Sequence, residues 1–136
     1  MVMRVQTETD DNRELVERYW QLLADNDLEG AATMQHDEFV EEWPQSGERI
    51  RGRDKWLAMA TAHPTFPSIE PRLTEGIEDL WVTRARFEYP IDEGVVPFEV
   101  CAVQRVREGK VLRITQYFGA PFEPAEWREA WVERTR

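Results

Sequence analysis

The stretch Phe39–Gly47, FVEEWPQSG, sets two carboxylates, Glu41 and Glu42, beside Trp43 and just ahead of a proline turn. A carboxyl held against aromatic side chains loses hydration, which raises its pKa and suits it to general acid or base work. On an extended strand the side chains alternate, so Phe39, Glu41 and Trp43 share one side while Val40 and Glu42 share the other. The pair is therefore split, with Glu41 inward, unless a β-bulge slips the register and turns Glu42 in. A wet strand end, with Glu41 solvated or paired to Arg49, Arg51 or Arg53, is the competing reading. Both stay open at this level.

Other side chains with chemical potential are few. Tyr19 lies on an amphipathic helical stretch, where its hydroxyl is either a hydrogen-bond donor to a ligand or a satisfied core group. His36 and His63 stand apart, with no carboxylate at ligand spacing, so no metal site is expected. Cys101 is the single cysteine, which rules out an internal disulfide, and alternation points it away from the inner face. The chain has no Gly-rich phosphate loop and no Ser-His-Asp set. No cofactor is expected.

The elements that would position these residues follow from periodicity. Residues 1–9 read as a frayed tail, and Asp10, Asp11 or Asn12 as the cap of a helix carrying Leu15, Val16, Tyr19, Trp20, Leu22 and Leu23. Asp27 caps a short second helix through Met34, a strand follows over 37–43, and residues 53–62 form a third helix closed by His63-Pro64. From Ile69 the period changes to two, predicting strands near 69–79, 80–90, 95–107 and 111–119. Pro124 opens a predicted terminal helix over 124–134, with Trp127 and Trp131 one turn apart as a packed face or a lid. Helices interrupted by one strand, then a four-stranded meander, imply an α+β cone with an open mouth.

The 136 residues suit a single domain over 1–136, with its core at about 12–120. Net charge is −10 and the basic residues are interleaved with acids, which argues against nucleic acid or an anionic membrane as partner. The first 14 residues lack the apolar core of a signal peptide, and no run approaches a membrane span, so the cytoplasm is the expected location.

Together, VERYWQLLADNDLEG (16–30), HDEFVEEWP (36–44), Gly52 opening a helix, RFEYP (86–90) and REGKVLRITQYFG (107–119) resemble the nuclear transport factor 2-like superfamily. The likeness is greatest to its SnoaL-like group, whose relatives include ketosteroid isomerases, limonene epoxide hydrolases and polyketide cyclases. The resemblance implies a curved antiparallel sheet with the N-terminal helices on its concave face. It places the isomerase tyrosine on Tyr19, the catalytic base on Trp43 and the neutral acid on Ala102. The acids of the epoxide hydrolase pattern fall on Gln116 and Gly119. Each working carboxylate of those relatives is thus replaced by an uncharged residue.

Alternation along the later strands makes Trp81, Thr83, Ala85, Phe87 and Tyr89 one inner set, Phe98, Val100, Ala102 and Gln104 a second, and Leu112, Ile114, Gln116 and Phe118 a third. The expected site has Glu41 and Tyr19 as catalytic groups. Its expected ligand-binding residues are Phe39, Trp43, Phe87, Tyr89, Ala102, Gln104, Gln116 and Phe118. Such a pocket suits a small, largely apolar molecule and cofactor-free isomerase, cyclase or hydrolase chemistry. A non-catalytic ligand-binding or dimerisation module is the alternative. The outer face, with Val82, Arg84, Arg86, Cys101, Val103, Arg105, Arg113 and Tyr117, is the expected homodimer surface.

Overall fold

Helices α1 (Val2–Ala24), α2 (Leu28–Thr33) and α3 (Arg53–Ala62) pack on one face of a curved, unclosed six-stranded sheet. The computed structural model describes residues 2–135. The strands are β1 (Gln35–Trp43), β2 (Glu48–Arg51), β3 (Ser68–Ile77), β4 (Leu80–Ile91), β5 (Gly94–Arg107) and β6 (Lys110–Gly119), in the spatial order β2-β1-β6-β5-β4-β3. All neighbours pair antiparallel except β1 and β6, which run parallel, so the sheet is mixed.

Helix α1 starts earlier than its capping residues suggest. Met1 lies outside the described residues, but residues 2–9 are helical, not frayed. They contain no Gly or Pro, and three side chains near Asp10 fasten the helix to the β3–β4 turn instead of capping it. Thr9 Oγ1 accepts from the Glu78 amide (3.1 Å), Asn12 Nδ2 donates to the Glu78 carbonyl (2.7 Å), and Arg13 Nη1 donates to the Thr74 carbonyl (2.9 Å). At α2 the capping works as read: Asp27 Oδ1 accepts from the Gly30 amide at 2.9 Å.

Strand β2 has no signature in the sequence, being four residues long with three of them charged. It exists because the turn after Pro44 brings it back along β1, pairing Glu41 with Ile50. Gly47, at φ +75°, closes that turn with its amide on the Trp43 carbonyl (2.9 Å). The terminal helix does not form. Residues 124–134 hold one 3₁₀ turn, Glu126–Arg128, and Trp127 and Trp131 are 76% and 79% exposed, neither packed nor a lid. A short segment with no apolar surface beneath it cannot offset the cost of helix nucleation.

The core lies between the helices and the inner face of the sheet. Val16, Tyr19, Trp20, Leu22 and Leu23 of α1 meet Phe39 of β1, Trp81, Ala85 and Phe87 of β4, and Val100 and Ala102 of β5. In β6 the inner positions are Val111, Ile114, Gln116 and Phe118; Val111 is buried, and Leu112 is not the inner residue expected. A register shift between Arg105 and Val106 adds one residue at that end of the ladder and moves the alternation by one.

Candidate active site

Strand alternation and sheet curvature together carve a cavity of about 720 Å³ between α1, α3 and the strands. Its walls are aromatic. Phe87, Tyr89, Phe98 and Phe118 form a closed cycle of rings with centroid separations of 6.4, 5.5, 6.4 and 5.7 Å around the loop. Three of the four contacts are edge-to-face, as ring quadrupoles prefer. The cycle exists because Phe87 and Phe98 are register partners on β4 and β5, while Phe118 pairs with Val100 two residues along. His63, at the end of α3, stacks on Tyr89 at 5.7 Å and extends the wall toward Phe66.

The same cavity is lined by Trp43 from β1, Trp56 from α3, and Glu41. Glu41 is buried on the inner face, and Glu42 points outward to an ion pair with Arg113, so the strand keeps its simple alternation at this point. Glu41 pairs in register with Ile50 on one side and Ile114 on the other. Burial raises its pKa to about 7, and the neighbouring indole N–H groups of Trp56 and Trp43 restrain that rise. The arginines offered as partners lie elsewhere: Arg49 and Arg51 stand opposite Glu42 and Val40 in the β1–β2 register, and Arg53 donates to the carbonyls of Ala32 and Gln35 and pairs with Asp37. Among the described residues no Lys or Arg lines the cavity.

Gln116 of β6 shares the wall. Its Oε1 accepts from Trp43 Nε1 at 3.4 Å, which leaves its amide N–H groups for a ligand. Ser46, Gln45 and Glu48 from the β1–β2 hairpin stand at the rim. Burial lifts the pKa of Tyr89 as well.

Of the ten residues expected at the site, Glu41, Trp43, Phe87, Tyr89, Gln116 and Phe118 line the cavity. Tyr19, Phe39, Ala102 and Gln104 do not: each is almost wholly buried in the core beneath it. Tyr19 accepts a hydrogen bond from Gln35 Nε2 at 3.0 Å. Its pKa is driven upward by burial and then by the Glu41 charge, and is lowered by the Gln35 bond, so the phenol stays protonated. Gln104 is a structural hub, accepting from Trp20 Nε1 at 2.5 Å and donating to Thr83 Oγ1 at 3.1 Å. Sequence reasoning missed Trp56, His63, Phe66 and Phe98 as wall residues. Phe98 was legible on the inner face of its strand, whereas the first three depend on where α3 and its exit loop sit on the sheet.

Among the described residues no three His, Cys, Asp or Glu side chains converge to hold a metal ion. His36 instead contacts Glu108 at 3.2 Å on the surface.

The family model for the SnoaL-like domain matches residues 16–114. The chain belongs to the SnoaL-like family. Solved structures agree with that placement. An NTF-2 like protein of unknown function from Burkholderia xenovorans LB400 is 33% identical, with a TM-score of 0.80 over 93% of this chain and 97% of that one. A putative ketosteroid isomerase from Kribbella flavida DSM 17836 shares the fold at 22% identity and a TM-score of 0.79, covering 95% and 93% of the two chains. An LEH-like epoxide hydrolase from M. tuberculosis does so at 21% and 0.71, covering 82% and 84%. No curated protein matches this SnoaL-like chain in sequence. Within this SnoaL-like fold the positions to which the resemblance assigned carboxylates hold Trp43 and Gln116 on the cavity wall, Ala102 in the core and Gly119 at the strand end.

Proposed function

We propose that this SnoaL-like protein binds a small, largely apolar molecule in the cavity and acts on it by cofactor-free acid–base catalysis, with Glu41 as the proton-transfer group. The observation that carries this reading is Glu41 itself: a buried carboxyl on an aromatic wall, without a cationic partner in the lining and with its pKa near 7. At neutral pH it is divided between acid and base forms, the condition in which a carboxyl both takes and returns a proton efficiently. Gln116 Nε2 is the donor for a developing oxyanion, while the indole N–H groups of Trp43 and Trp56 are turned to Glu41 and Gln116. Tyr19, being off the wall and bonded to Gln35, does not donate to the ligand. The aromatic cycle gives the substrate an apolar wall to pack against.

The test is a screen of small cyclic ketones, lactones and epoxides followed by NMR of the Trp43 and Trp56 indole N–H signals. Binders are expected to move these two signals first and to shift the Glu41 carboxyl titration. Ligands that perturb neither end this reading. Binding without turnover, unchanged by Glu41→Gln, would favour the non-catalytic module, which the uncharged Trp43, Ala102 and Gln116 support.

Ketosteroid-isomerase activity is expected to be absent. An indole at Trp43 accepts no proton, and Glu41 lies two residues back on the strand, ~6.6 Å away and beyond direct proton transfer. With a β,γ-unsaturated ketosteroid, turnover is expected far below the ~10 s⁻¹ of a typical enzyme. A rate near that value, abolished in Glu41→Gln, would overturn the expectation.

The outer face of the sheet is proposed as a homodimer surface. Three of its arginines are paired within the chain, Arg113 with Glu42, Arg86 with Glu88 and Glu99, and Arg105 with Asp79, while Arg84 is exposed. Tyr117, 44% exposed, stands among them with the half-buried Val82, Cys101 and Val103. Arg and Tyr on a largely charge-paired face suit an interface that repeats itself under two-fold symmetry. Sedimentation is expected to give a dimer of the 16.1 kDa chain at micromolar concentration, and a monomer there removes the idea.

A further inference from the structure

Every fixed charge on the cavity wall is negative. The charged side chains that line it are Glu41 and Glu48; His63 is the one other group able to carry charge at ordinary pH, and no Lys or Arg is among the described lining residues. The nearby arginines are occupied elsewhere, Arg53 on Asp37 and two carbonyls, Arg113 on Glu42 across the sheet, and Arg13 over the Trp81 ring at 4.9 Å. A buried carboxylate without a partner is costly, and that cost is relieved when a cation sits beside it.

We propose that the cavity takes the cationic head of an organic amine, a tertiary or quaternary ammonium group, seated among the aromatic rings with Glu41 as its counter-ion. This rests on the reading of the cavity as a ligand site and adds the chemical class of the ligand.

Aromatic faces attract cations through the ring quadrupole, and cages of several rings recognise quaternary ammonium groups. Here the cycle of Phe87, Tyr89, Phe98 and Phe118 faces the same space as Trp43 and Trp56, with the carboxyl between the two indoles. An alkylated ammonium is weakly hydrated and enters such a space at lower cost than a primary amine. A neutral ligand leaves Glu41 unpaired, and an anion is repelled by it. The net charge of −10 raises the local concentration of cations at the mouth. The volume of about 720 Å³ leaves room for an apolar body behind the charged head.

The titratable groups around Glu41 come from four elements: Tyr19 on α1, which feels its charge, and His63 at the end of α3, Tyr89 on β4 and Glu48 on β2, which line the same cavity. Both tyrosines have raised pKa values and stay neutral. Ionisation of Glu41, around pH 7, therefore favours the cation, so affinity rises with pH and binding releases a proton.

The experiment compares three probes by quenching of tryptophan fluorescence in the whole protein: benzyltrimethylammonium, its uncharged carbon isostere neopentylbenzene, and phenylacetate. The ammonium carries its charge at every pH, so any pH dependence belongs to the protein. At pH 8 it is expected to bind roughly tenfold tighter than the isostere, and phenylacetate weakest. Between pH 8 and pH 6 its affinity is expected to fall about tenfold as Glu41 takes up a proton. That dependence is expected to vanish in Glu41→Gln and to persist in His63→Gln, each variant's ammonium affinity being read as a ratio to its own isostere affinity. Equal binding of ammonium and isostere at pH 8 overturns the inference and leaves the cavity reading standing, as does a preference that survives Glu41→Gln. If no probe binds, both fall. Should Glu41→Gln fail to fold, the wild-type isostere ratio and the pH profile in His63→Gln decide.

Discussion

Glu41→Gln is expected to leave stability nearly unchanged at pH 4.5 and to raise it by about 3 kcal/mol at pH 8. The carboxyl titrates at about 7 in the folded protein against an ordinary 4.5, because burial removes the water that stabilises its charge. The folded state therefore holds the Glu41 proton more tightly than the unfolded state does. Below pH 4.5 both states are protonated and the carboxyl costs nothing extra. Between 4.5 and 7 the unfolded chain has lost the proton and the folded one keeps it, so stability declines as pH rises. Above 7 the folded state must carry the buried charge and the whole penalty is present. At about 1.4 kcal/mol per pKa unit, the displacement from 4.5 to about 7 is worth about 3 kcal/mol, an upper bound for a group that reaches an open cavity. Gln keeps the shape and never ionises. Urea unfolding of both proteins at pH 4.5, 6 and 8 is the check: the difference should open with pH, and parallel curves would refute it. An NMR midpoint for the Glu41 carboxyl at or below 4.5 would refute it independently.

Trp20→Ala is expected to cost about 5 kcal/mol, comparable to the entire stability of a marginal domain. Trp20 is 1% exposed, packs on Phe87 at a centroid distance of 6.2 Å, and separates the core from the cavity. Removing a buried indole costs about 3–5 kcal/mol in lost burial and residual void. Its Nε1 also donates to Gln104 Oε1, a buried acceptor that would lose this partner, at about 1–3 kcal/mol. Partial collapse of the space and entry of water from the cavity offset some of that sum. Trp20→Phe keeps most of the ring and forfeits the hydrogen bond, so about 2 kcal/mol is expected. Denaturant midpoints for the two variants should rank Ala far below Phe. Similar losses in both would mean that the hydrogen bond dominates and the packing argument is wrong.

Local pattern specified much of this molecule. The change to period two after Ile69 located β3 to β6, with the turns falling at Asp92–Glu93 and Glu108–Gly109, close to the gaps between the predicted strands. Glu108 and Gly109 both have positive φ, the conformation a tight two-residue hairpin requires. The stop at His63-Pro64 closed the predicted helix over 53–62, and α3 runs Arg53–Ala62. These signals are legible because they are short-range: a turn residue or a side-chain period acts within a few positions of itself.

The sequence by itself determined which side of each strand a residue takes over most of the sheet, but it left β1 open to a one-residue slip, and only the structure settled that Glu41 turns inward and Glu42 outward. The pattern failed at Val111, where a register shift reversed the alternation expected of Leu112. Whether an inward residue meets ligand space or solid core was decided by the tertiary structure. Ala102 and Gln104 share a face with Phe98, yet Phe98 lines the cavity while they lie under α1. Depth along a strand depends on where the sheet curves away from the helices, and that is a sum of contacts between distant segments. Tyr19 was drawn below the floor for the same reason, held by Gln35 across the start of β1. The parallel pairing of β1 with β6 joins residues some 70 positions apart, as Glu41 with Ile114, and no local period encodes it. It is this pairing that brings Gln116 to Trp43 and closes the wall around Glu41. The carboxyl was written in the strand; the buried, cation-free place that raises its pKa came from the fold.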